Sequence, residues 1–185
     1  MRDAHAWLKE ATTPAHRIVD DAFSRFALDD PGSYRAFLVA HAAALLPVEA
    51  WLSGRAEAVF PDWPARARAA ALADDLARLG AVAPPAAPFG AANDPASIAG
   101  IVYVLEGSRI GGAILAKRIP SPLPKSYLAA TCDARSWRAV LSRLDDVLHD
   151  DETRAASARA ALSVFERFEQ AARAAAPESD CAPAR

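Results

Sequence analysis

His16 and Asp20 stand one helical turn apart in P-A-H-R-I-V-D, and four glycines interrupt an otherwise apolar run from Ser97 to Pro120. Both arrangements can serve chemistry. A carboxylate at i+4 can accept the Nδ1 proton of a histidine, directly or through water, which leaves Nε2 as a ligand nitrogen for a metal. The same pair also occurs on plain surfaces, where it has no such use. The glycines are harder to dismiss, because each one inside a helix costs about 1 kcal/mol relative to alanine. At 100° per residue, Gly100, Gly107 and Gly111 share one narrow face and Gly112 lies well off it. A face without side chains admits either a neighbouring helix or a planar ligand.

The elements that must carry these residues read as helices. Ser97 to Pro120 is too long and too evenly apolar for a strand, and a proline ends it. Ala6 to Leu28 reads as one or two helical pieces, with Thr13-Pro14 as a cap and first helical residue where the helix restarts or kinks. His16, Asp20 and Phe23 form a stripe, which Thr12 and Lys9 extend if the helix continues through Pro14. Ser33 is expected to cap a helix to Leu52, kinked at Pro47 and ended by Gly54. Its buried stripe comprises Tyr34, Phe37, Leu38, His41, Leu45, Val48 and Trp51, with His41 read as a core or edge histidine rather than a ligand. Pro64 opens a helix over Ala65 to Leu79, and a proline-rich connection leads to Asp94-Pro95, a start signal for the glycine helix. After a break at Pro120 to Pro124, Ala134 to Leu148 and Thr153 to Ala175 are amphipathic.

Composition sets the outer limits. The chain has 185 residues, 52% of them hydrophobic and 24% charged, which suits one domain with a sizeable core. Its alanine content and sparse glycine favour an all-α fold. Residues 1–176 are expected to form one helical domain and residues 177–185 a disordered tail. A net charge of -2 and a pI near 6.1 give no general attraction to nucleic acid or to acidic membranes. The N-terminus lacks the apolar core of a signal peptide, and the run Ala36 to Val48 is too short to span a bilayer and is interrupted by His41, so a cytoplasmic protein is expected.

Several chemistries are excluded by their signatures. G-S-R-I-G-G is not a phosphate loop, since no Gly-Lys-Ser/Thr follows and no strand precedes it. G-x-S-x-G is absent. None of His5, His16, His41 and His149 has a glutamate three residues before it, so a di-iron bundle is ruled out. Cys132 and Cys181 make neither a C-x-x-C pair nor a C-x-x-C-H haem attachment.

Together, L-K-E-A-T-T-P-A-H-R-I-V-D and Y-V-L-E-G-S-R-I-G-G-A-I-L resemble the haem oxygenase family, particularly its bacterial branch. The first segment is similar to the proximal helix and the second to the distal helix, and their order and separation suit that fold over most of the chain. The resemblance implies an all-α, single-domain haem-oxygenase-like fold with haem sandwiched between the two helices. It places His16 as the axial iron ligand. Asp20 falls where the family usually has a glutamate, so its shorter side chain calls for a water to reach Nδ1. Lys9 and Arg138 fall at basic positions that pair with haem propionates. Gly107 and Gly111 match the glycines that let the distal helix lie close over haem. Ser108 replaces the distal aspartate of the animal enzymes, which bacterial relatives also often lack. Leu162 and Phe165 fall in the C-terminal segment that lines the pocket.

The activity implied is oxidative cleavage of haem, both cofactor and substrate, to biliverdin, carbon monoxide and ferrous iron. A neutral histidine ligand gives the iron no thiolate push toward O–O cleavage, and the distal helix steers oxygen toward a meso carbon. O2 and an external electron donor such as a ferredoxin or a flavoprotein reductase are implied, with a phytochrome as a conceivable acceptor of biliverdin; neither nucleic acid nor membrane is. Two other readings stay open: a haem-buffering protein of the same fold, for which the Asp20 and Ser108 departures leave room, and a helical interaction protein whose glycines only pack helices.

Overall fold

The computed structural model describes residues 3–131 and 133–175; the expected tail at 177–185, together with Cys132 and Cys181, lies outside the described residues. All regular structure among the described residues is helical. The helices are α1 (Ala4–Phe23), α2 (Pro31–Leu52), α3 (Trp63–Arg66), α4 (Ala69–Arg78), α5 (Pro95–Leu115), α6 (Ser126–Ala129), α7 (Ala134–Val147) and α8 (Asp151–Ala175). The C-terminal α8 packs along α5, α1 and α2, while α7 leans on α5 and α1, and α4 on α2 and α6.

Local sequence explains where most helices begin. Asp30 accepts from the Ser33 amide at 2.6 Å, Asp94 from the Ser97 amide at 2.9 Å, Asp133 from the Ser136 amide at 2.6 Å and Asp150 from the Thr153 amide at 2.8 Å. Each is an Asp-x-x-Ser/Thr start, in which the carboxylate satisfies an amide that the helix cannot. The cap of α2 is therefore Asp30, not the expected Ser33. Ser33 sits three residues inside, and its hydroxyl accepts from the Ala27 amide.

Two other expectations are corrected. No break occurs at Thr13-Pro14, because α1 runs through Pro14 without interruption. The Thr12 hydroxyl donates to the Leu8 carbonyl at 2.8 Å and that of Thr13 to the Lys9 carbonyl at 2.7 Å, so both hydroxyls are satisfied within the helix. The helix expected over 65–79 is two, split at Ala67 and Arg68. There the buried Glu49 carboxylate of α2 accepts from the amides of Arg68 and Ala69, at 2.9 and 2.8 Å, and caps α4 from another helix.

The core follows the apolar stripes. Leu8, Tyr34, Phe37, Leu38, Leu45, Leu52, Ile101, Leu105 and Leu144 are fully buried, each such side chain contributing about 1.5–3 kcal/mol of transfer free energy. The segments Pro31–Leu52 and Pro95–Arg118 are long and apolar enough to cross a bilayer, the first longer than the Ala36–Val48 run suggested. About half of each is buried against other helices, as for core helices of a packed fold. Gly100 shows how tightly α5 packs: a Cβ there would overlap the Ser157 carbonyl of α8.

Candidate functional site

One face of α1 and one face of α5 line a shared cavity of about 700 Å³, within the usual range for ligand pockets. From α1 come His5, Lys9, Thr12, Thr13, His16, Arg17, Val19, Asp20 and Phe23, and from α5 come residues 103–105, 107, 108, 110–112 and 115. Continuity through Pro14 keeps Lys9 in register with His16 and Asp20. Phe37 and His41 of α2, Arg68, Tyr127 and Leu128 of α6, Trp137 of α7, and Phe165 and Phe168 of α8 complete the walls.

On α1, Nδ1 of His16 lies 3.0 Å from Oδ2 of Asp20. The contact is direct, so the water expected from the shorter side chain is not needed. A carboxylate in contact with Nδ1 can accept its proton, an arrangement in which Nε2 is the nitrogen able to ligate a metal. The Phe165 ring meets the His16 ring edge-on, with centroids 5.7 Å apart. Lys9 and Arg17 are exposed and add positive charge at the cavity's edge.

On α5 the glycines differ in what lies opposite them. Nothing lies within 4 Å of a Cβ built on Gly111, which faces open space in the cavity. A Cβ on Gly107 would be 3.7 Å from Cη2 of Trp137, an ordinary contact. Gly112 lies against the Leu128 backbone of α6, whose carbonyl oxygen would be 3.3 Å away.

Beside these glycines lies a polar network that the sequence did not announce. The Ser108 hydroxyl donates to the Leu105 carbonyl at 2.7 Å and accepts from Nη2 of Arg68 at 2.8 Å. Arg68 is buried, also donates to the Leu105 carbonyl at 3.0 Å, and lies 5.0 Å from the centroid of the Tyr127 ring. The Tyr127 hydroxyl is 2.9 Å from Nδ1 of His41. Burial, with the Arg68 charge second, pushes the His41 pKa down to about 3, so this histidine is neutral at ordinary pH. Burial also raises the Tyr127 hydroxyl above its usual range. The Glu49 carboxylate is likewise raised by burial, against which the Arg68 and Ala69 amides and the Arg68 and Arg109 charges pull.

Arg68 and Tyr127 owe their places to carboxylates from other helices. Glu49 caps the turn that carries Arg68. The fully buried Asp75 of α4 accepts from the amides of Ser126 and Tyr127, at 3.1 and 2.8 Å, and so fixes α6. The distal end of α5 is pinned by a buried ion cluster: Glu106 receives Arg66 at 2.8 Å and Arg109 at 2.7 Å, and Arg109 also donates to the Arg66 carbonyl.

Of the residues singled out from sequence, the structure brings Lys9, His16, Asp20, Gly107, Ser108, Gly111 and Phe165 to one cavity. Arg138 and Leu162 are not among its lining. Arg138 is exposed and its Nε donates to the Ala134 carbonyl of its own helix, while Leu162 faces outward on α8 at 37% exposure. Arg68, Tyr127, Tyr103, Trp137 and His5 are cavity residues that sequence reasoning did not identify. Only the aromatic type of three of them hinted at a wall.

Fold and site thus define an all-helical protein whose apolar cavity suits a flat ligand, with an oriented histidine on one lining helix and bare backbone on another. No family model matches the chain. It is 30% identical over 146 residues, 75% of its length, to a haem oxygenase of Xanthomonas campestris pv. campestris (strain 8004), and the match covers 88% of that protein. The crystal structure of the haem oxygenase of Neisseria meningitidis, studied in NO- and CO-bound forms, superposes with a TM-score of 0.74 at 21% identity and covers 97% of this chain and 98% of its own. The chain belongs to the haem oxygenase family, and it is an oxidoreductase of that class.

Proposed function

We propose that this protein cleaves haem to biliverdin, carbon monoxide and ferrous iron in the cavity between α1 and α5. The observation that carries the reading is the pairing of an Asp20-oriented His16 with the open face at Gly111 in one apolar cavity of about 700 Å³. The lining fits haem by its chemistry: an imidazole nitrogen for the iron, aromatic and aliphatic walls for the ring, and Lys9 with Arg17 for the propionates. Haem when bound supplies the iron that activates O2, and is itself the substrate.

The chain's own residues have separable tasks. His16 would hold the iron, and Asp20, in contact with Nδ1, fixes the orientation of the imidazole. Gly107 and Gly111 let α5 come close to the ring, so the backbone of that helix confines what binds on the distal side. Ser108 directs its proton to the Leu105 carbonyl, so the charge near the distal face comes from Arg68, which can orient water there. His41 is neutral and holds the Tyr127 ring beneath the Arg68 guanidinium. Electrons come from an external reductase, for which we propose a ferredoxin or a flavoprotein, with a phytochrome as one acceptor of biliverdin; the protein acts in the cytoplasm.

Titrating the apo-protein with haem should give a sharp Soret band that disappears with ascorbate or a ferredoxin system as biliverdin accumulates on chromatography. His16→Ala should keep the helical circular dichroism but lose the histidine-ligated spectrum. A band that persists under reduction would leave a haem-buffering protein, and no band at all would leave a helical interaction protein. An unchanged spectrum in His16→Ala would remove that residue as the ligand.

A further inference from the structure

Haem presents four chemically similar meso carbons, so the choice of which one reacts depends on where the ring sits. Two cations at the edge of the cavity can hold the propionates, but they do not by themselves prevent the ring from sliding sideways or turning over. A rigid wall at one end of the cavity would do so. Where the glycine face of α5 borders the cavity, such a wall stands at Gly107. At Gly111 the space is open, whereas at Gly107, one turn earlier, the Trp137 ring already stands 3.7 Å from where a Cβ would be.

Trp137 is not loose there. It lies on the inward stripe of α7 with the buried Val140 and Leu144. Its ring meets that of His5 from α1 at 5.9 Å and 87°, and that of Tyr103 from α5 at 5.7 Å and 31°. His5 and Tyr103 meet each other at 5.9 Å. Three helices thus each contribute one ring to a cluster in which every ring braces the other two. All three rings line the cavity.

We infer that Trp137, braced by His5 and Tyr103, is the stop against which the tetrapyrrole seats, and that it determines which edge of the ring lies under Gly111 and so which biliverdin regioisomer forms. The inference rests on the haem reading above and concerns position, not the oxygenation steps. Trp137 is accordingly a specificity-determining residue that touches the substrate's periphery, with His5 and Tyr103 as positioning residues.

Proton NMR of the ferric haem complex tests it without relying on turnover. In the wild-type protein, nuclear Overhauser contacts are expected between the Trp137 indole and haem peripheral groups, with one dominant set of haem-methyl resonances. Trp137→Ala should show a second set of methyl resonances and convert a single biliverdin regioisomer into a mixture, while Trp137→Phe should restore the single set. Absence of indole–haem contacts in the wild-type protein would overturn the inference, even if the alanine variant failed to fold. Retention of one seating and one regioisomer in a folded Trp137→Ala would overturn it as well. Failure of the wild-type protein to bind haem at all would instead strike the functional reading on which the inference rests.

Discussion

At Gly100 a methyl group would overlap the Ser157 carbonyl oxygen of α8, whereas at Gly111, about three turns along the same face of α5, nothing lies within 4 Å of that position. The two glycines share a residue type, a helix and a face, but the first lets two helices touch and the second leaves a cavity open. Gly107 stands between them, with the edge of Trp137 at ordinary contact distance. A glycine stripe on a helix is therefore not one signal. Its meaning changes along the helix with what the rest of the chain places opposite each turn.

The largest expected effect separates the two ends by stability. Gly100→Ala forces α5 and α8 apart at backbone atoms that cannot rotate away, so overpacking should cost about 3 kcal/mol, the upper end of its usual range. That corresponds to a fall of roughly 6–12 °C in the melting temperature of the apo-protein. The fraction that stays folded should still bind haem. An unshifted melting temperature would mean that the α5–α8 crossing is looser than the structure shows and would erase the contrast with Gly111.

A smaller effect distinguishes the cavity end by what titrates there. His41 has its pKa lowered from 6.5 to about 3, by burial first and the Arg68 charge second. The unfolded chain takes up this proton as pH falls through 6.5, and the folded one does not until near 3, so folded stability falls across that window. Between pH 7 and pH 5 the wild-type apo-protein should lose about 2 kcal/mol more than His41→Gln, which keeps an acceptor for Tyr127. Urea midpoints at the two pH values measure this. Equal losses would show that His41 gains its proton in the folded state and would detach it from the network around Arg68.

At the cavity's edge the effect should be smaller still. Lys9→Glu places a negative charge where a propionate is expected, and as an exposed pair it should speed haem loss by a factor corresponding to about 1 kcal/mol or less. The difference should shrink as salt is added. Haem off-rates equal to wild type at low salt would take Lys9 out of the site.

These positions also show what the sequence can and cannot convey. Helix starts were written locally: Asp94-Pro95 was legible, and the same Asp-x-x-Ser/Thr pattern at Asp30, Asp133 and Asp150 could have been read with it. The His16–Asp20 pair and the glycine face depend only on helical spacing, so they too were visible. Arg68 and Tyr127 were not, because their positions depend on Glu49 and Asp75, carboxylates 19 and 52 residues away that cap α4 and α6 across the fold. In A-R-A-R-A nothing local shows that both arginines turn inward, or that Arg68 rather than Arg66 reaches the cavity. Pro14 misled as well: α1 runs through the position where a break was expected. Gly100 joined Gly107 and Gly111 by spacing alone, and only α8 sets it apart.

Gly111→Leu tests the central claim most directly when apo-protein melting and biliverdin yield are measured on the same variant. Because the position faces open space, the melting temperature should hold or rise slightly, a glycine having been removed from a helix at a gain of up to about 1 kcal/mol. Haem should bind poorly or in a shifted position, and biliverdin should be lost. A strong drop in melting temperature with turnover retained would contradict the account, because it would make Gly111 a packing residue like Gly100 and move the site elsewhere.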